Sequence, residues 1–240
     1  MTPRRFVFHT AVSGAGTMFS FFNVAGRATP HFYVNDRGDI EQYIDTDYRG
    51  SACLNGNPDC IAIESSDNFG HRTQWTLEQE EACARLIAWV NKVHGIPLRQ
   101  LESSRPGTTG IGWHRLGIDG NFPQPPGHLL GGRVSGGEAW SLSAGKECPF
   151  DGKITGVVRN IIPRARELSA NPDGDELTPD DREFIKNQFD GLQKRINAGR
   201  VGSADRDKKI VAALDELAAA VKDTASKAQV KRTRAAIVAF

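Results

Sequence analysis

A chain of 240 residues, 39% hydrophobic and 25% charged, is long enough for one substantial core plus an accessory segment and has the composition of a globular protein. Its 30 Lys and Arg offset 29 Asp and Glu, and neither the first 170 residues nor the remainder carries a basic excess, which argues against a nucleic-acid binder. Four cysteines are too few for a disulfide scaffold at this length, and the longest apolar runs, 86–90 and 235–240, are far too short to cross a bilayer.

Arg4 and Arg5 are followed by no apolar h-region, so no secretory signal is expected. The run Arg5-Phe6-Val7-Phe8-His9 reads as a first strand. Ser13 is then placed to cap a helix through Met18, Phe19, Phe21 and Phe22 toward Gly26. His31-Phe32-Tyr33-Val34 and Asp39-Ile40-Glu41-Gln42-Tyr43-Ile44 flank the turn Asn35-Asp36-Arg37-Gly38, the pattern of a hairpin. Cys53 and Cys60 flank a loop and are read equally as a local disulfide or as free thiols. Cys60-Ile61-Ala62-Ile63-Glu64 is apolar enough for a central strand that ends in a carboxylate.

Thr76 with Gln79 three residues on forms a capping box, and Gly95 closes the helix that follows. Its expected buried stripe is Leu77, Cys83, Leu86, Ile87, Val90 and Val93, with Cys83 a small core residue. A short strand through Ile111 and Trp113 delivers His114. A Gly-, Pro- and Ser-rich connection leads from there to Gly145-Lys146-Glu147-Cys148-Pro149-Phe150-Asp151, and a connection that long is usually functional or mobile rather than idle. Ile154, Val157, Val158, Ile161 and Ile162 predict a helix interrupted by Pro163. Residues 171–177 read as a linker. Two helices with narrow apolar stripes follow, Ile185, Phe189, Leu192 and Ile196, then Ile210, Leu214, Leu217 and Val221, which suggests a helical hairpin or a seam between chains.

Three residues carry candidate chemistry together. His9 closes a strand, His114 follows one, and Cys148 sits beside Lys146 on a loop pinned by a helix. Taken singly, His9 and His114 read first as packed or capping residues and Cys148 as a core thiol. Two imidazoles and one thiolate would leave a tetrahedral zinc ion (Zn2+) with one open position, the arrangement of a catalytic site. No short ligand-pair motif binds the three.

The order of pieces resembles the peptidoglycan-recognition/phage amidase family (type-2 amidases) of zinc N-acetylmuramoyl-L-alanine amidases. The pieces are Phe6-Val7-Phe8-His9-Thr10, Pro30-His31-Phe32-Tyr33-Val34 with Asp36-Arg37-Gly38-Asp39-Ile40, Ile61-Ala62-Ile63-Glu64, Trp113-His114 and Lys146-Glu147-Cys148-Pro149, over roughly residues 5–168. The last piece is the most specific. The resemblance implies an α/β fold with a central mixed β-sheet flanked by helices, in a catalytic domain of residues 1–170. After the 171–177 linker, an α-helical segment of 178–240 would serve wall targeting or oligomerisation. It further implies His9, His114 and Cys148 as zinc ligands, Glu64 as general base and Lys146 as the partner of the oxyanion. The reaction implied is hydrolysis of the amide joining N-acetylmuramic acid to L-alanine of the stem peptide.

One departure stands out. Several members carry a catalytic Tyr just before the His of the second strand, and this chain has Pro30 there; Tyr33 is not aligned to it. His31 is read as structural, and His128 as the rival third ligand. The competing functions are a non-catalytic peptidoglycan-binding module on the same fold, disfavoured by Cys148, and a zinc peptidase cutting within the stem peptide. The expected partner is bacterial peptidoglycan, with no nucleic acid, no stable membrane insertion, and homo-oligomerisation through the C-terminal helices as an option. Lys227, Lys231, Arg232 and Arg234 beside an apolar end suit either an anionic surface or plain solvent. The resemblance to phage endolysins places the protein in the host cytoplasm until its release to the cell wall.

Overall fold

The computed structural model describes residues 1–24, 26–67, 74–122 and 131–170. All of them belong to one unit, Met1–Ala170. The expected linker, the two C-terminal helices and His128 lie outside the described residues.

Five strands form one mixed sheet: β1 (Arg5–Thr10), β2 (Phe32–Val34), β3 (Ile40–Gln42), β4 (Cys60–Ser65) and β5 (Gly110–Trp113). Their order is β3-β2-β4-β1-β5. β1 pairs in parallel with both β4 and β5, β2 pairs in parallel with β4, and β3 returns antiparallel at the edge. Every residue of β1 is buried, as expected of a central strand covered on both faces. Phe6, Phe8, Ile61 and Ile63 lose all exposure, and each such side chain contributes roughly 1.5–3 kcal/mol.

The first helix differs from expectation. α1 is a single turn, Phe19–Phe22, capped by no side chain, while Ser13 Oγ instead accepts from the Ala15 N–H at 3.1 Å. Met18 and Phe22 are buried beside Tyr33, but Phe19 and Phe21 face outward, so the apolar run does not build a helix that spans it.

Helix α2 (Leu77–His94) matches its predicted ends. Thr76 and Gln79 exchange both capping-box hydrogen bonds, and Gly95 sits at φ 70°, where glycine costs least. Its buried stripe is Gln79, Cys83, Ala84, Leu86, Ile87 and Val90. Leu77 and Val93, expected within it, are more than half exposed because they lie on the two end turns, past the packed elements. The helix after Cys148 runs as α3 (Asp151–Gly156), a π-helical turn (Val157–Ile161) and α4 (Ile162–Ala170). Pro163 is the second residue of α4, one residue past the π turn, so the hydrogen-bond register shifts where its missing N–H would interrupt an α ladder and the helix continues. Among the described residues, no helix is long and apolar enough to cross a membrane.

A buried cation ties the start of β1 to the distant connection. Arg5, 1% exposed, pairs with Asp59 and, at 2.7 Å, with Glu138, and lies over the Trp140 ring.

Candidate metal centre

The parallel register sets the site. His9 and Glu64 are partners on β1 and β4, which places both side chains on one face near the carboxyl ends of the strands. His114 follows β5 directly and opens a short 3-10 turn, His114–Gly117. Cys148 arrives from the loop before α3. The ligand atoms of His9, His114 and Cys148 lie within 4.8 Å of one another. Tetrahedral zinc with bonds of 2.0–2.3 Å needs ligand atoms roughly 3.3–3.8 Å apart, so small side-chain rotations would close the set.

The surroundings decide which atoms face inward. His114 Nε2 lies 2.8 Å from the Trp140 carbonyl, which only accepts, so Nε2 carries the proton and Nδ1 is free to ligate. Trp140 is held close by a glycine: a Cβ on Gly117 would stand 2.2 Å from Trp140 Cγ. His9 Nε2 faces Cys53 Sγ at 3.3 Å, and its Nδ1 is the nitrogen turned toward Glu64 Oε1, at 3.9 Å. The two imidazoles lie with ring centroids 4.2 Å apart. Cys148 Sγ accepts from the Thr10 N–H at 3.3 Å.

Burial pushes His9 well below the ordinary imidazole range and His114 down to about 4, so both are neutral, the ligating form. Burial, reinforced by Glu64, pushes the Cys148 thiol up to about 12. Glu64 is pushed up to about 8, again chiefly by burial, against the nearby charges of Lys153 and Lys146. Its side chain is 18% exposed, and its buried Oε2 has no hydrogen-bond partner among the described residues. Two neutral imidazoles, a thiol and an under-solvated carboxyl form a donor set whose acids a divalent cation would ionise. Nitrogen and sulfur donors in that ratio suit zinc.

The remaining expected residues separate clearly. Lys146 is exposed on the loop, and its charge acts on His9, His114, Glu64 and Cys148. His31 is structural: its Nδ1 accepts from the Ala62 N–H at 3.1 Å and its Nε2 donates to the Tyr48 carbonyl at 3.0 Å. Tyr33 donates to the Ala15 carbonyl and has no exposed surface. Cys53 and Cys60 are buried free thiols.

Sequence reasoning missed Lys153. It is fully buried in α3, donates to Ser65 Oγ at 2.8 Å and the Ser66 carbonyl at 2.6 Å, and lies over the Trp75 ring. Ser65 Oγ donates in turn to the His9 carbonyl, and Thr10 Oγ1 to the Pro149 carbonyl. This network joins the ends of β1 and β4 to the Cys148 turn. Its signal was available in the spacing, because Val157 and Ile161 follow Lys153 on one buried helical stripe.

Among solved structures, the chain is similar to the N-acetylmuramoyl-L-alanine amidase LysC from Clostridium intestinale, at 17% identity and a TM-score of 0.43, covering 65% of this chain and 85% of that one. It is also similar to the Staphylococcus aureus hydrolase AmiA, solved in complex with its ligand, at 17% identity and a TM-score of 0.43, covering 72% and 75%. No curated protein sequence matches it significantly. The family model described as N-acetylmuramoyl-L-alanine amidase matches residues 1–149, which hold every residue of the His9, His114 and Cys148 cluster as well as Glu64 and Lys146. The chain belongs to the type-2 N-acetylmuramoyl-L-alanine amidase family.

Proposed function

We propose that this amidase cleaves the bond between the lactyl group of N-acetylmuramic acid and L-alanine of the stem peptide, with zinc held by His9, His114 and Cys148. The observation that carries the reading is the convergence of those three ligand atoms beside Glu64, whose Oε1 lies 3.9 Å from His9 Nδ1. Zinc bound there would polarise the scissile carbonyl and lower the pKa of the attacking water. Glu64, ionised, takes a proton from that water as its oxygen attacks the carbonyl carbon. Lys146, exposed on the loop beside the site, donates to the developing oxyanion. When the carbon–nitrogen bond breaks, Glu64 returns its proton to the leaving amine, leaving a lactyl carboxylate and a free L-alanine amino group. Neutral His9 and His114, their Nε2 atoms turned to Cys53 Sγ and the Trp140 carbonyl, would offer Nδ1 to the ion.

The test compares the purified protein with Cys148→Ser on isolated peptidoglycan. One zinc per chain, new L-alanine amino termini, and loss of both in the variant support the reading. New termini within the stem peptide would make it a peptidase, and a wild type without zinc or hydrolysis would leave a wall-binding module. The setting proposed is that of a phage endolysin, held in the host cytoplasm until release, with residues 178–240 targeting the wall or joining chains.

A further inference from the structure

Arg115 follows one proposed ligand in the chain and reaches the loop that carries another. Its side chain is 1% exposed. One guanidinium nitrogen, Nη1, donates to Asp151 Oδ1 at 2.5 Å; the other, Nη2, donates to the Glu147 carbonyl. The Phe122 ring lies 5.0 Å from the guanidinium carbon. The two anchors bracket Cys148, since Glu147 immediately precedes it and Asp151 is the first residue of α3.

The turn between those anchors is not one the chain adopts readily. Phe150 sits at φ 80°, a region that residues with a side chain rarely occupy, and such conformations persist where surrounding contacts over-determine them. The Glu147 carbonyl already accepts from the Phe150 N–H at 2.6 Å, which closes the turn, and the guanidinium uses the carbonyl's second lone pair. A planar fork holds two acceptors at a fixed spacing, whereas an ammonium would act as a single point.

We propose that Arg115 is a positioning residue of the metal centre, its fork fixing the Glu147–Asp151 turn so that Cys148 stands within ligand reach of His9 and His114. The inference rests on the zinc reading above. Because Arg115 adjoins His114 covalently, one residue sets the spacing between two ligands that the chain separates by its long glycine-rich connection.

The experiment measures zinc affinity of the full-length protein by competition with a chromophoric chelator, for wild type, Arg115→Met, Arg115→Lys, Cys148→Ser and the Arg115→Met/Cys148→Ser double variant. Arg115→Met is expected to weaken zinc about 10–100-fold, the range for residues that orient ligands. In the Cys148→Ser background the same change should weaken it no further, because the grip acts only through the thiolate. Arg115→Lys, which keeps the buried charge but loses the fork, should show most of the loss and serves where Arg115→Met does not fold. Wild-type affinity in both single variants, or a loss that adds in full to that of Cys148→Ser, would overturn the proposal. A wild type that binds no zinc is a different failure, which sinks the zinc reading and this inference together.

Discussion

Glu64→Gln should abolish hydrolysis yet stabilise the metal-free fold, and the gain should depend on pH in a defined direction. Glu64 is held at about 8 in the folded chain against an ordinary 4.5, chiefly by burial, and its Oε2 lacks a partner among the described residues. Between those values the unfolded chain binds fewer protons than the folded one, so stability falls as pH rises. Below the unfolded value the carboxyl is neutral in both states and contributes nothing to the slope. At one pKa unit per 1.36 kcal/mol, the penalty reaches about 1 kcal/mol near pH ~5 and about 3 kcal/mol near pH ~7. The gain levels off once pH passes the folded value. Urea unfolding of chelator-treated wild type and Glu64→Gln at these two pH values isolates the contribution, since all other groups are common to both proteins. A difference that grows by about 2 kcal/mol from the lower pH to the higher is expected. If wild type proved the more stable at neutral pH, or the difference ignored pH, the carboxyl would not be an under-solvated group held ready as a base.

Gly117→Ala sets a Cβ 2.2 Å from Trp140 Cγ; it should cost about 1–3 kcal/mol by thermal unfolding and weaken zinc through the displaced Trp140 carbonyl. Thr76→Ala removes the capping box of α2 and should cost about 1 kcal/mol without changing kcat, measured by unfolding and by turnover on soluble muropeptides. A chain ending at Ala170 retains every proposed ligand, so it should hydrolyse soluble muropeptides at wild-type rate while lysing whole walls more slowly; loss of both would place the boundary elsewhere.

The local features were legible because each rests on neighbours close in sequence. The Thr76–Gln79 box and Gly95 mark α2 to the residue, since both are backbone-capping devices. His9, Glu64 and His114 were each recognisable at or just past a strand end. The reading failed where burial depends on distant segments. Leu77 and Val93 fit the helical period of α2 but extend beyond what the sheet and α4 cover, and the phenylalanines of residues 19–22 lacked a partner surface long enough to wind a helix against.

The order of strands explains why widely separated residues meet, and no local pattern contains it. Parallel strands share an edge at their carboxyl ends, so inserting β1 between β4 and β5 brings His9, Glu64 and His114 together whatever lies between them in the chain. Cys148 has no strand to deliver it. The loop that carries it is contacted by the N–H and hydroxyl of Thr10 and by Arg115, from two other segments. Arg5, Arg115 and Lys153, at 1% exposure or less, are charges that residue type alone would send to solvent. A buried cation survives only with partners supplied from elsewhere in the fold, so its role is defined by those partners. Strand ends thus reveal the groups proposed for the chemistry sooner than the buried cations, whose partners come from other segments.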